Sequence, residues 1–298
     1  MDENKLAEEN RVIDEIYFTE QARYRCEQLS LSKIDSTITA NGKQKFQYLS
    51  SLSADRKYGK VRLEEHHYDF SPAVINKSFE LISKNELLKH NVVFSIDEFG
   101  RFDKILNKLH LERDWIFFRE GEFQNIEFVE HVKHNEPAVY DELVKNGNLQ
   151  FSESYDLGFE YRANLFYLIL LDDHLVNSEL QFFPNKELKF TSILFPNLFI
   201  PLDISTDITE NNPDSISLAR RGTVVMNDDL SNQIIESYKV LYQPSVKFDF
   251  SEYRLKFEVN LKFDKATRLA EFGNCIIEEE VLNNVENICS YSLKRVKT

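Results

Sequence analysis

Glycine and proline are scarce in this chain, with 8 and 7 copies in 298 residues. So few helix- and strand-breaking residues argue against a loop-dominated or low-complexity protein. The glycines are also too widely spaced for a Walker loop or a dinucleotide-binding fingerprint. A Gly-x-Ser-x-Gly elbow, an HExxH motif and a kinase signature are absent as well. These absences favour a protein without catalytic activity, and they predict no cofactor.

Cysteines and long apolar runs are also few. Cys26, Cys275 and Cys289 are odd in number and form no CxxC pair, which favours reduced, buried thiols in a cytoplasm over a disulfide framework. Residues 1–15 are acidic and lack the apolar core of a signal peptide. The most apolar run, residues 163–171, is shorter than the roughly 20 residues of a membrane span. We therefore expect a soluble, cytoplasmic protein that does not cross a membrane.

Basic residues are outnumbered by acidic ones, 36 against 50, which gives a net charge of −14. Such a surface repels phosphate backbones and anionic lipid headgroups, so nucleic acid is not an expected partner. A basic protein is the partner that this charge favours. The excess of Phe, Tyr, Asn, Lys and Ile is typical of an AT-rich bacterial genome.

The abundant residues are those that form a core. Hydrophobic residues make up 42% of the chain, including 24 Phe and 13 Tyr, so the chain should fold. The rest of the sequence is arranged around residues 92–115. Alternation predicts a strand at 92–96, a turn around Gly100 and a returning strand at 102–106. Asn107 then predicts the cap of a helix.

The N-terminal part shows β-type alternation after a polar segment, residues 1–12, that we expect to be frayed. Asn41-Gly42 predicts a type I′ hairpin turn, because both residues tolerate φ > 0. Ser71-Pro72 predicts the start of a helix, with the serine as cap and Pro at the first helical position. The predicted strands lie within residues 13–38, 45–53 and 61–70, and the buried face of the helix carries Ile75, Phe79 and Ile82.

Helical patterns dominate the middle of the chain, over residues 108–134 and 137–147. Residues 155–175 fit both a helix and a buried strand, since the spacing of Leu157 and Tyr161 is helical but residues 166–171 are apolar on every face. We favour the helix. Between residues 182 and 202, Pro184, Pro196 and Pro201 exclude a regular helix.

Strand patterns return toward the C-terminus. The polar stretch 203–217 predicts a mobile loop. Gly273-Asn274 predicts a bulge within one of the strands. A faint similarity between residues 94–106 and 257–269 is better explained by chance than by an internal repeat. The predicted strands are 222–226, 236–242, 253–263, 267–281 and 285–294.

The order of these patterns predicts an α+β fold, with antiparallel β-meanders at both ends of the chain and a mainly helical middle segment. The corresponding parts are residues 1–107, 108–176 and 177–298. One continuous domain is compatible with the same pattern.

Glu127, His131 and His134 are the best metal-ligand candidates, because their i, i+4, i+7 spacing places them on one face of a predicted helix. We prefer the simpler interpretation of a solvated helix end, where histidines are electrostatically favoured without a metal. The sequence therefore predicts a metal-free protein.

A second polar cluster, Glu64, Glu65, His66 and His67, lies on a predicted strand, which divides it between two faces. Asp172, Asp173 and His174 end an apolar element and are further possible ligands for this cluster. Two exposed polar ends of buried elements are the simpler interpretation, which leaves a metal-dependent hydrolase as the least favoured hypothesis.

The segment 182–199 is rich in phenylalanine and suggests either an ordinary core or an apolar ligand cavity between a curved sheet and a helix. Core is the more common role of such residues. The aromatic residues of the segment are Phe182, Phe183, Phe190, Phe195 and Phe199.

Two functional hypotheses follow. The first is a non-catalytic interaction protein, such as an immunity, adaptor or assembly component, whose acidic surface steers it toward a basic partner. The second is a binding shell for an apolar small molecule, with the sheet curving round a helix. For the first, the predicted contact residues are those of the polar stretch: Asp203, Asp207, Glu210 and Asp214.

Overall fold

The sheet follows chain order outward from a central pair of strands. The computed structural model describes residues 3–176 and 185–296, and within them eleven strands form one antiparallel sheet. Its order is β5-β4-β3-β2-β1-β11-β10-β9-β8-β7-β6. The strands are β1 (Phe18–Ile34), β2 (Thr37–Ser53), β3 (Tyr58–Ser71), β4 (Asn91–Ile96), β5 (Phe102–Ile105), β6 (Asn185–Thr191), β7 (Phe199–Asn211), β8 (Ser215–Val224), β9 (Tyr253–Asp264), β10 (Ala270–Val281) and β11 (Val285–Val296).

The central pair joins the two ends of the chain, since β1 pairs with β11 from Arg23↔Val296 to Ile34↔Val285. One meander runs from β1 out to β5, and the other runs from β11 out to β6, so β5 and β6 are the two edges. Most of the helices lie in the chain between these edge strands. The predicted α+β fold, with sheet at both ends of the chain and helices in the middle, is confirmed.

The helices of the described residues are mostly short. A 3-10 turn at Glu122–Asn125 separates the third from the fourth. They are α1 (Glu3–Asp14), α2 (Val74–Lys89), α3 (Lys108–Glu120), α4 (Glu127–Asn135), α5 (Pro137–Phe151), α6 (Gly158–Ala163), α7 (Leu165–Leu170), α8 (Asp173–Val176), α9 (Asp228–Leu241) and α10 (Gln243–Val246). None of them is both long and apolar enough to span a bilayer.

The two faces of the sheet differ in polarity, as expected for an antiparallel sheet with one solvated face. The inner face carries the hydrophobic core, and the helices pack against it. The outer face carries pairs of opposite charge on neighbouring strands or, for Arg23 and Glu64, on strands two apart, which favours contact with water. Such pairs include Arg23–Glu64, Lys43–Glu27, Lys33–Glu286 and Lys256–Glu278, at 2.7 to 3.2 Å.

The predicted hairpin around Gly100 is confirmed. β4 and β5 form it, and Gly100 adopts φ +79°. Asn107 is buried, but its side chain does not cap α3. Instead it accepts a hydrogen bond from the Val93 amide at 2.8 Å and donates one to the Asn91 carbonyl at 2.8 Å, which ties the start of α3 to β4.

The predicted hairpin turn at Asn41-Gly42 is wrong. The first hairpin turns at Asp35-Ser36, where both φ values are positive (47° and 62°). Asn41 and Gly42 lie within β2 and pair with β1 on one side and β3 on the other. A Cβ atom at position 42 would lie 2.2 Å from the ring of Phe70. The glycine therefore makes room for an aromatic ring and does not form a turn.

The stretch 203–217, predicted as a mobile loop, consists of the greater part of β7, a short turn and the start of β8. Leu202 and Ile204 are buried, whereas Asp203 and Ser205 are exposed. The polar composition belongs to the solvated face of a strand, and that is why it resembled a loop.

The predicted strand at 236–242 is also wrong, because these residues belong to α9 and its end. Leu230, Ile234 and Tyr238 are buried at four-residue spacing, which is the period of a helix. Asn227 caps the helix, since its side chain accepts a hydrogen bond from the Leu230 amide at 2.8 Å.

Residues 3–14 form a helix rather than a frayed segment. The Glu9 carboxylate accepts hydrogen bonds from the Leu109 and His110 amides at 2.9 and 3.1 Å, which holds α1 against the start of α3. The long helix predicted at 108–134 is broken at Gly121.

The predicted start of α2 is wrong as well, since Ser71 ends β3, and α2 begins at Val74 without a side-chain cap. Ile82, predicted to be buried, is exposed. The irregularity of β10 lies between Ala270 and Phe272, not at Gly273-Asn274.

Candidate functional site

Helix α7 lies at the centre of the concave face. Its sequence, LFYLIL, is apolar on every side, and four of its six residues are buried. Phe166 stacks on Tyr48 of β2 with ring centroids 4.0 Å apart. Ile169 packs over Gly273 of β10, where a Cβ would lie 2.4 Å from its side chain. These contacts place α7 over the central strands of the sheet, between β2 and β10. The favoured helical interpretation of residues 155–175 is confirmed, although the helix is broken into α6, α7 and α8.

The two edges of the curved sheet come together at one cavity. Phe102 of β5 and Leu188 of β6 both line it, although nine strands separate β5 from β6 in the sheet. We call this space of about 310 Å³ the seam cavity. Its apolar lining residues are Phe102, Phe159, Ala163, Tyr167, Leu168, Leu171, Leu188, Ile204, Phe257 and Val259, and its charged ones are Arg101, Arg162, Asp172, Glu187, Lys189 and Arg220.

The size of the seam cavity is that of a small-molecule site. Its volume lies at the lower end of the roughly 300–1,000 Å³ found for ligand pockets, and it corresponds to roughly ten water molecules. A larger depression of about 590 Å³ between α1, β5 and α3 is more open to solvent. The seam cavity is therefore the better enclosed of these two spaces.

One end of the seam cavity is closed by a buried charged cluster. The Arg220 guanidinium on β8 contacts the Asp172 carboxylate at 3.0 Å and the Asp173 carboxylate at 3.3 Å. The β4–β5 turn fits closely on this cluster, since a Cβ at Gly100 would lie 2.1 Å from the Asp172 carbonyl oxygen. Arg220 is 4% exposed, and its Nε donor has no hydrogen-bond partner among the described residues.

The charged groups along the rest of the seam cavity are less well neutralised. Arg162 donates hydrogen bonds to the Asp156 carboxylate at 2.8 Å and to the Asp103 carbonyl at 3.1 Å. Arg101 and Lys189, by contrast, form no ion pair with any residue that the structure describes. Both line the seam cavity, one from the β4–β5 turn and the other from β6.

A buried polar chain runs behind the wall of the seam cavity. The Tyr167 hydroxyl lies 3.0 Å from His90 Nδ1, and His90 Nε2 lies 3.0 Å from the Glu86 carboxylate. Lys89 contacts both Glu86, at 2.6 Å, and Glu160, at 2.9 Å. A neutral His90 that donates to Glu86 accepts from Tyr167. This series of hydrogen bonds and ion pairs thus provides partners for the buried polar groups and fixes the ring of Tyr167 in the cavity wall.

The predicted metal ligands do not come together. Glu127 forms an ion pair with Lys77 at 2.8 Å, His134 bonds the Glu130 carbonyl, and His131 contacts Asn135. No group of three His, Cys, Asp or Glu side chains suited to a metal occurs in residues 3–176 and 185–296.

Strict alternation predicts that Glu64 and His66 share one face of the strand, and Glu65 and His67 the other. This prediction is wrong, because the register of β2 and β3 shifts beside Glu64, between Gln47 and Tyr48. Glu64 pairs with Arg23 and Arg62, while His66 faces inward and stacks on Phe46, with ring centroids 4.5 Å apart. Burial lowers the pKa of His66 to about 4, so its ring is neutral at pH 7. These residues lie on β3, several strands away from the Arg220 cluster that contains Asp172 and Asp173.

All three cysteines are free and buried. Burial raises the pKa of Cys26 to about 12 and that of Cys289 to about 11, and it also raises the pKa of Cys275. A thiol in this environment is protonated and unreactive at neutral pH.

The phenylalanine-rich segment contributes side chains to the hydrophobic core more than to the lining of the seam cavity. Phe195 is fully buried and Phe190 half-buried against the core, whereas Phe199 is exposed beside Phe159. Phe182 and Phe183 lie outside the described residues. The aromatic walls of the seam cavity come instead from Phe102, Phe159 and Phe257. The signal in the sequence that could have located this place is the helix that is apolar on every face, since such a helix must be surrounded.

Comparisons with known proteins do not assign a family. No family model matches the chain, and no curated protein matches it. A solved structure titled "Lipid-protein interactions in lipovitellin" resembles it with a TM-score of 0.43 and 8% sequence identity, over 93% of this chain and 25% of that chain. The present chain therefore spans about a quarter of that chain's length. A TM-score of this size does not establish a shared fold.

Proposed function

We propose that the protein binds an apolar small molecule in the seam cavity. The observation that carries this proposal is a predominantly apolar space of about 310 Å³, enclosed by both edges of a curved sheet and by α6 and α7. Apolar pockets with a few polar groups are the usual form of small-molecule sites. The proposal needs no catalytic residue, which agrees with the absence of catalytic motifs from the sequence.

The outer face of the sheet does not suit an apolar ligand. Its cross-strand ion pairs would have to be desolvated for an apolar molecule to bind there, and desolvation of charges is costly. An apolar ligand is therefore expected on the concave side, where α7 and the core already exclude water.

The test is binding of N-phenyl-1-naphthylamine, an uncharged dye that fluoresces in apolar surroundings. The parent protein should bind it saturably with a stoichiometry near one. Leu168→Trp places a larger side chain from α7 into the seam cavity, so the affinity should fall at least about tenfold, equivalent to about 1.4 kcal/mol.

The matched control is Leu241→Trp, the same substitution at an exposed position on α9 away from the seam cavity. It should leave dye binding unchanged. Circular dichroism confirms that both variants are folded. Unsaturable dye binding by the parent, or equal affinities of a folded Leu168→Trp variant and the parent, would refute the proposal.

A second candidate function is association with a basic protein partner. The observation that favours it is that Asp203, Asp207, Glu210 and Asp214 are all exposed along β7 and the turn after it. Arg221 pairs with Asp207 at 3.0 Å and so offsets part of this charge. The two functions are compatible, because the acidic side chains and the seam cavity use different faces of the same strand.

A further inference from the structure

The side chains that line the seam cavity include more cations than anions. Four cations line it (Arg101, Arg162, Lys189 and Arg220) and two anions (Asp172 and Glu187), which gives 4 − 2 = +2 for the lining. The whole chain carries −14. Asp156 neutralises Arg162, and Asp172 and Asp173 neutralise Arg220, so the cations that remain for a ligand are Arg101 and Lys189.

Two of these cations line the seam cavity without a counterion. Arg101 and Lys189 form no ion pair with a described residue, although acidic residues are abundant over the surface. They approach the seam cavity from opposite edges of the sheet. An anionic group between them would gain two charge-assisted contacts, and arginine matches the planar geometry of a carboxylate.

Arg220 is not available to a ligand, because the chain itself surrounds its guanidinium. Its two carboxylate contacts engage the terminal nitrogens, whereas its buried Nε donor has no hydrogen-bond partner among the described residues. Leaving a buried donor unpaired costs about 1–3 kcal/mol. The Nε atom is fully buried, so this cost belongs to the fold and is not relieved by a ligand in the seam cavity.

We infer that the ligand is an amphipathic monocarboxylate, with its apolar chain in the seam cavity and its carboxylate near Arg101 and Lys189. This inference rests on the proposed function and names its ligand class. The volume, equivalent to roughly ten water molecules, suits an aliphatic chain of about ten carbons. Decanoate is therefore the appropriate probe.

The experiment compares decanoate, decanol and decylammonium as competitors of the dye at pH 7.5. Decanoate should bind the parent at least about tenfold more tightly than decanol, and decylammonium more weakly than either. In the double variant Arg101→Gln, Lys189→Gln, decanoate binding should fall at least about tenfold, while decanol binding stays unchanged.

The control variant Arg221→Gln, Lys239→Gln removes the same charge from exposed positions outside the seam cavity. Its affinity for decanoate should equal that of the parent. Equal binding of decanoate and decanol to the parent, stronger binding of decylammonium, or equal losses in both double variants would overturn the inference but leave the proposed function intact. Failure of every aliphatic probe and of the dye to bind would refute the proposed function itself.

Discussion

At the scale of single residues, Glu86 is the side chain whose charge is most firmly held. Burial alone would raise the pKa of its carboxyl group, but the hydrogen bond from His90 and the electrostatic contacts with His90 and Lys89 outweigh burial and hold the pKa well below its usual range. The carboxylate therefore stays ionised in the folded protein. It anchors the chain of contacts that ends at Tyr167 in the cavity wall.

Replacement of Glu86 by Gln should destabilise the protein by about 1–3 kcal/mol at pH 7, the usual value of a hydrogen bond to a charged group. Because the folded-state pKa is depressed, this contribution is present above the unfolded value of about 4.3 and is lost as the pH falls through the folded pKa. The stability difference between parent and variant should therefore shrink below about pH 4. Urea unfolding between pH 3 and pH 7 measures it.

The appropriate control for this variant is Glu252→Gln, which removes a carboxylate from an exposed ion pair with Arg254. Exposed pairs contribute little to stability, so this change should be much smaller at every pH. A Glu86→Gln variant whose stability difference from the parent does not depend on pH would show that Glu86 does not titrate as its contacts require.

At the scale of elements, the β1–β2 hairpin shows how a turn motif can be misplaced. Asn41-Gly42 and Asp35-Ser36 both consist of residues that tolerate positive φ, and local sequence alone favours the former. Packing against β3 determines the position of the turn, because the ring of Phe70 occupies the space that a side chain at position 42 would need. Long-range packing therefore decides where the hairpin turns.

A Gly42→Val substitution should destabilise the protein by about 1–3 kcal/mol, because the new side chain overlaps the Phe70 ring. If the overlap is the cause, the effect of Gly42→Val should be much smaller in a Phe70→Ala background. Urea unfolding of the four proteins of this double-mutant cycle measures the coupling. Additive losses would indicate a cost in the backbone of β2 instead of a clash with Phe70.

Elements whose pattern is local could be predicted from the sequence. The β4–β5 hairpin has a local turn signal at Gly100, and the strands β9, β10 and β11 follow a two-residue alternation that no tertiary contact has to override. The errors at β7 and α9 had a common origin in composition. Acidic residues on the solvated face of β7 resembled a loop, and the Ile, Tyr and Val residues of α9 resembled a strand despite their four-residue spacing.

At the scale of the whole molecule, the seam cavity could be predicted only in outline. A sheet curving round a helix was among the hypotheses, because the phenylalanine-rich segment 182–199 suggested an apolar ligand cavity. The meeting of β5 and β6 depends on curvature accumulated over all the strands between them, which no segment of the sequence encodes. The lining cations come from the β4–β5 turn, α6, β6 and β8, so their proximity could not be read from spacing.

The net charge is a property of the same scale, and it predicts how a basic partner would associate. A decapeptide of lysine serves as the probe. Its association rate with the protein should fall steeply between about 0.05 and 0.5 M salt, because the screening length shrinks below the spacing of exposed charges. The substitutions Asp203→Asn, Asp207→Asn, Glu210→Gln and Asp214→Asn should slow association at low salt at least about threefold and flatten its salt dependence.

A control variant distinguishes a docking surface from the field of the whole protein. Glu130, Glu136, Asp141 and Glu142 are equally exposed, on and between α4 and α5, and their neutralisation removes the same four charges. Net charge acts over the whole surface, whereas docking contacts act only where they lie. If both quadruple variants slow association equally in stopped-flow measurements, β7 is not the docking surface. If only the β7 variant does so, the acidic strand is the surface that a basic partner contacts.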